Sequence, residues 1–284
     1  MSDKKVTTQT AAKANLTVQA ARIQSPSSIN TYRHCPRKYY YNYIAELPKK
    51  KSIPLIKGSI IHEVLEDFFD LNPEYMTADF KQFLRKETMR LFFMKWKNYQ
   101  KEIEEMGIEN KAVHAEDCML MLSNWTEWFI SEVEKKESKG VAPADAFRAL
   151  TPIREQEYRS EEHAVRGFID AIHEEDGCVR VIDYKTSSRD EVSEEYLLQL
   201  SIYALLYRVR HGRLPDIVGL HLLRHGRREL EVTESMVEFA TREIHHVHKN
   251  TLSKEKKDYV KKIGPLCKWS TGQCDFYDTC IKDA

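Results

Sequence analysis

The spacing of apolar residues changes period along the chain. In GSIIHEVLEDFFD (58–70), Ile60, Ile61, Val64, Leu65, Phe68 and Phe69 recur at helical spacing, which predicts a helix with His62 near its start. Upstream, Ser25-Pro26 supplies a cap and a first-turn proline for SPSSINTYRHCPRKYYYNYI, and LPKKKSIP reads as the intervening loop. From Thr77 to about Lys139 the pattern predicts two or more long helices, with Trp and Met as ordinary core. A period of two then takes over. IREQEYRS, HAVRGFIDAIHE and GCVRVIDYKT read as successive strands, SEEYLLQLSIYALLYRVRHG as a helix closed by Gly212, and DIVGLHLLRHG as a further strand. Residues 1–22 are polar and aperiodic and read as a flexible tail, which leaves 23–284 as a single domain.

Asp176-Gly177 favours a tight hairpin because both residues tolerate positive φ. If they form the turn, Glu175 faces Cys178 and Asp170 lies directly opposite Asp183. Opposed Cβ atoms are roughly 5 Å apart and like charges there repel, so the pair is intelligible if a cation sits between the acids. Lys185, two residues beyond Asp183, points to the same side. A solvent-facing hairpin whose lysine relieves the repulsion explains the local pattern equally well.

The 284 residues, 42% hydrophobic and 31% charged, suit a soluble globular chain with a substantial core. No apolar run reaches the roughly 18 residues that span a bilayer. The N-terminus lacks the apolar centre of a signal peptide, so a cytoplasmic protein with no membrane partner is expected. Six cysteines in a reducing compartment point to metal or catalysis rather than a disulfide scaffold. The formal net charge of zero excludes a uniformly basic coat. Between Asn30 and Ile60, however, seven basic residues stand against one acid, interleaved with Tyr32, Tyr39, Tyr40, Tyr41 and Tyr43. That mixture suits either a groove for single-stranded nucleic acid or an amphipathic helix with its tyrosines packed inward.

Gln199 and Tyr203 form an i,i+4 pair on the helix after the hairpin. In order, His62, Asp170, Asp183-x-Lys185 and Gln199-x-x-x-Tyr203 resemble the PD-(D/E)XK nuclease superfamily. Within it they resemble the RecB-like exonuclease branch, including CRISPR-adaptation and AddB-type nuclease domains. The matched pieces are GSIIHEVLEDFF, RGFIDAI, VIDYKTS and QLSIYALLY, covering most of the chain from Ser27 apart from a helical insertion at 77–140. The resemblance implies an α/β, restriction-endonuclease-like αβββαβ core with a mixed sheet. It implies Mg²⁺ or Mn²⁺ held by His62, Asp170, Asp183 and the carbonyl of Tyr184, with Lys185 orienting the attacking water. Gln199 and Tyr203 would position the nucleic-acid backbone. Glu157 and Glu155 share the alternating face of the preceding strand as accessory candidates.

One sub-branch of this family fastens the ends of the nuclease domain with an iron-sulfur cluster on one early and three late cysteines. Cys35 resembles the early ligand. Cys267, Cys274 and Cys280, in the segment 264–284, resemble the late three, and four thiolates suit a [4Fe-4S] cube. The late spacing here is C-x6-C-x5-C, against the branch's common C-x2-C-x5-C. Zinc is the rival, although structural zinc sites usually use cysteine pairs two to four residues apart. A cluster beside the basic, tyrosine-rich segment would make that segment a guide for DNA. Cys118 and Cys178 fall on apolar faces and read as core.

The implied function is a metal-dependent deoxyribonuclease, an exonuclease on single-stranded DNA or DNA ends, in recombination, repair, replication or CRISPR adaptation. No GxxxxGK[ST] motif is present, so unwinding would need a helicase partner. A catalytically silent DNA-binding or scaffold subunit of a helicase-nuclease complex is the alternative of a different class. A restriction-type endonuclease shares the core without predicting the cysteines.

Overall fold

Pro36 cuts the first predicted helix in two. In α1 (Pro26–His34), the Ser25 hydroxyl accepts the Ser28 N–H while the Ser28 hydroxyl accepts the Ser25 N–H. The proline ring then forces Cys35 into an extended conformation (φ −158°, ψ 109°), and α2 (Pro36–Tyr43) starts afresh. The computed structural model describes residues 20–76, 79–270 and 272–283, so most of the predicted tail, and residues 77–78 of the insertion, lie outside the described residues.

α3 (Ile53–Phe68) begins earlier than expected. Pro54 sits in its first turn, so part of the presumed loop is helical and His62 lies mid-helix. Ile56, Ile60, Ile61, Val64, Leu65 and Phe68 form its buried face, each burial worth roughly 1.5–3 kcal/mol. They pack into one cluster with the two long helices α4 (Phe80–Glu105) and α5 (Lys111–Glu137), and with Phe147 of α6 (Pro143–Leu150).

The three predicted strands are β1 (Ile153–Ser160), β2 (Val165–Glu175) and β3 (Cys178–Lys185). α7 (Glu194–His211) is capped by the Ser193 side chain and closed by Gly212 in the left-handed conformation (φ 71°). It returns the chain to β4 (Ile217–Leu222), which pairs parallel with β3. Two elements extend the expected order: β5 (Gly226–Glu231), antiparallel to β4, and the amphipathic α8 (Glu234–Asn250). The sheet order is β1-β2-β3-β4-β5, and it is mixed. A cluster of α1, α7 and α8 packs on one face, and Ala171, Ile182 and Tyr184 join α3, α4 and α5 on the other.

After α8 the chain runs back across α2. Tyr259, fully buried, stacks on Tyr39 (centroids 6.1 Å apart) and meets Tyr40, while Arg37 Nε donates to its carbonyl at 2.8 Å. Tyr39 and Tyr41 are buried, and Tyr32, Tyr40 and Tyr43 are half-buried. Tyr39 and Tyr41 are therefore core, and the expectation that the tyrosines line a DNA groove is corrected for these two. The chain closes with the short strands β6 (Lys268–Trp269) and β7 (Gly272–Gln273) and with α9 (Tyr277–Lys282). No helix among the described residues is long and apolar enough to cross a membrane.

Candidate active site

The β2–β3 ladder runs from Glu175–Cys178 to Ala171–Ile182 around a turn at Asp176 (φ 51°) and Gly177 (φ 79°). This is the register that sets Asp170 against Asp183. The next rung, however, does not close, and Asp170 Oδ2 accepts the backbone N–H of Tyr184 at 2.7 Å instead. Ile169 and Ile172, three residues apart, pack in the same cluster while Ala171 joins the other, so strict alternation slips by one residue at this point. The β1–β2 register places Glu155 opposite Asp170, and Glu155 has φ 45°, a left-handed backbone that a residue other than glycine adopts at a cost. Both irregularities bring a carboxylate beside α3. His62 Nδ1 lies 3.6 Å from Asp170 Oδ2 and 4.0 Å from Glu155 Oε1, and these three side chains have ligand atoms within 4.8 Å of one another.

Asp183, 1% exposed, faces α7. Gln199 Nε2 donates to Asp183 Oδ1 at 2.9 Å and to the Tyr203 hydroxyl at 2.8 Å, and that hydroxyl lies 3.5 Å from the same Oδ1. Lys185 Nζ is 2.5 Å from Asp183 Oδ2, an ion pair without an aligned hydrogen bond. The sequence-predicted His62, Asp170, Asp183, Tyr184, Lys185, Gln199 and Tyr203 are thus brought together. Gln199 and Tyr203 support the Asp183 carboxylate, and Tyr203 is buried. Glu157 turns outward to Arg166 (3.1 Å), so of the two accessory candidates only Glu155 belongs here. Two contributors were not anticipated. The Tyr196 ring lies 5.4 Å from the Lys185 ammonium, and the Tyr196, Gln199, Tyr203 spacing (i, i+3, i+7) could have signalled it. Tyr99 of α4 lines the cleft of about 610 Å³ above the site, and no local pattern marks it.

Burial and the Asp183 charge both push the Asp170 carboxyl up, against the pull of His62, the Tyr184 N–H and Lys185. Burial alone would lower His62, but the neighbouring Glu155 carboxylate and the charges of Asp170 and Asp183 outweigh that and hold the imidazole at about 9. Lys185 likewise is raised by Asp183 in spite of burial. The site is a cluster of crowded acids with cations drawn against them.

Residues 24–280 match the PD-(D/E)XK nuclease superfamily. The chain belongs to that superfamily. A crystal structure of a candidate exonuclease from Eubacterium rectale is similar to this nuclease-superfamily chain at a TM-score of 0.50 and 12% identity, covering 99% of this chain and 94% of that one, a likeness of fold. No curated protein matches the sequence. The mixed five-stranded sheet with its flanking helices is a restriction-endonuclease-like fold, and membership supports nuclease activity, divalent-metal use and DNA as the substrate class.

A second cavity, of about 500 Å³, is lined by Cys35, Cys267, Cys274 and Cys280. All four are half-buried and none forms a disulfide. Cys274 N donates to Cys267 O at 2.9 Å across the β6–β7 hairpin. Burial pushes the Cys280 thiol up against the opposing charge of Lys261, and Cys35 and Cys267 add to the rise. Cys118 is core, its thiol raised to about 12 by burial. Cys178 is half-exposed at the head of β3, and its reading as core is corrected.

Proposed function

We propose that this chain is an Mg²⁺- or Mn²⁺-dependent deoxyribonuclease, an exonuclease that hydrolyses phosphodiester bonds in single-stranded DNA or at DNA ends. The observation that supports it is the meeting of His62, Asp170, Asp183 and Lys185 where the β2–β3 ladder stops. The donors fit a hard cation, since burial and the Asp183 charge together raise Asp170 and such an ion would favour the charged carboxylates. His62, Asp170, Asp183 and the Tyr184 carbonyl would hold it, with Glu155 in reach. When bound, such an ion acidifies water and offsets charge on the phosphoryl group. Lys185, kept protonated by Asp183, supplies a fixed positive charge and donates a hydrogen bond to the attacking water or the developing oxyanion. Gln199 and Tyr203 hold Asp183 in place and so act as positioning residues. The test is digestion of end-labelled linear single-stranded DNA with Mg²⁺ or Mn²⁺, beside Asp183→Ala. Short products from the intact protein alone support the reading and reveal polarity, whereas equal DNA binding without cleavage by either protein overturns it.

The cysteine quartet supports a [4Fe-4S] cluster. Cys35, Cys267, Cys274 and Cys280 line one cavity, and four thiolates are the ligand set such a cube takes. Protein purified anaerobically should carry iron and acid-labile sulfide, and zinc without iron would exclude the cluster. The catalytically silent subunit is a second reading. Exposed Ile263, Leu266, Trp269 and Ile281 around this cavity favour a partner there, such as a helicase or another protein of recombination, repair, replication or CRISPR adaptation.

A further inference from the structure

Gly58 occupies the interior of α3, where glycine is the poorest helix former apart from proline. Nothing in the surrounding fold asks for it. Its φ is not in the left-handed region, and a Cβ built on it would meet no atom of the described residues within 4 Å beyond its chain neighbours and its own helix backbone. Gly58 lines the cleft above the proposed metal site, one turn ahead of His62 on the same helix. The cleft face of α3 continues through exposed Ser59, with Leu55, 64% exposed, at its rim. Tyr99 of α4 lines the same cleft, its hydroxyl donating to Glu63, and Lys95 lies 3.7 Å from the other Glu63 oxygen. One wall is therefore stripped of side-chain bulk, the other is fastened in place, and of the three acids that line the cleft, Glu63, Glu66 and Glu155, the one held by Tyr99 has its charge offset by Lys95.

We propose that α3 is bare at Gly58 because the sugar-phosphate backbone of the substrate strand crosses the helix there, against Tyr99 of the insertion as the opposite wall. Gly58 and Tyr99 are then substrate-contacting residues that set the path of the strand beside the scissile bond. This rests on the nuclease reading above. A methyl group at Gly58 fills space that the fold leaves open and the strand needs, while improving the helix.

The test is Gly58→Ala, compared with the wild type for Tm, Mn²⁺ affinity by calorimetry, and cleavage of a labelled single-stranded oligonucleotide. The expected result is an equal or higher Tm, unchanged Mn²⁺ affinity, and a KM raised on the order of fivefold or more, because small displacements of a bound strand are costly to reaction. Tyr99→Ala should raise KM in the same way, and Tyr99→Phe, which keeps the ring, should raise it less. A wild-type KM in Gly58→Ala, or a lowered Tm showing that the fold itself requires the glycine, overturns the proposal. These outcomes differ from failure of the nuclease reading, in which the wild type itself does not cut the oligonucleotide, whether or not it binds it, and this inference falls with it.

Discussion

The carboxylate of Asp170 accepts the backbone N–H of Tyr184 at 2.7 Å, just past the last closed rung of the β2–β3 ladder. A side chain here takes the place of a strand partner, and the same oxygen faces His62. Asp170→Asn retains an acceptor for the N–H and removes the charge. Its Tm without added metal should equal or exceed that of the wild type, because a crowded acid has gone. The rise in Tm on adding Mn²⁺ should disappear, since stabilisation by a ligand requires that the folded state bind it. Melting curves with and without Mn²⁺ decide the matter, and undiminished stabilisation of the variant places the ion elsewhere.

Among the described residues Lys185 is the one ammonium drawn against Asp183, and its raised pKa keeps it charged through neutral pH. Lys185→Met should lower kcat by roughly 10²- to 10³-fold, the loss associated with a single preorganised donor, while DNA and Mn²⁺ affinities change little. A fall in KM-based affinity with kcat intact contradicts a role in the chemical step.

Gly167 is a second glycine near the site, with the opposite logic to Gly58. A Cβ there would stand 2.9 Å from Tyr203 Cε1, against the ring that lies beneath Asp183. Gly167→Ala should cost roughly 1–3 kcal/mol in urea unfolding, through overpacking, and should reduce cleavage by displacing Tyr203. A neutral result shows that the ring can retreat without consequence.

Asp117 of α5 ties that helix to its neighbours, pairing with Lys57 of α3 and with Arg224 after β4, where Arg224 Nη2 donates at 2.6 Å. The Arg224 hydrogen bonds, assisted by Lys57 and opposed by partial burial, hold the Asp117 carboxyl down at about 2, below its ordinary 3.8. A lowered carboxyl pKa stabilises the fold above the unfolded value, and that contribution is lost as pH falls from about 3.8 toward 2. Asp117→Asn should therefore cost about 1–2 kcal/mol at pH 7, and the difference from the wild type should shrink below pH 4. Urea unfolding at pH 7 and pH 3 checks both parts.

What the sequence determined by itself was local. The helical spacing of Ile60 through Phe68 and the alternation in β1 to β3 depend only on which side of an element each residue falls. The Asp176-Gly177 turn depends on backbone freedom at two residues, and with it came the register that brings Asp170 toward Asp183. The extended Cys35 before Pro36 has an equally local cause, although periodicity had read that segment as a single helix. Only the tertiary structure decided that Glu155, rather than Glu157, turns toward His62, since that required a left-handed residue opposite a slipped strand. It also decided that Tyr39 is core, because Tyr259, more than two hundred residues later in the sequence, lies against it. The cleft above His62 was equally out of reach, with α3 and α4 contributing Gly58 and Tyr99 to its lining. Periodicity assigns a residue to a face of its own element, but the neighbour that meets that face is set by packing between elements distant in the chain.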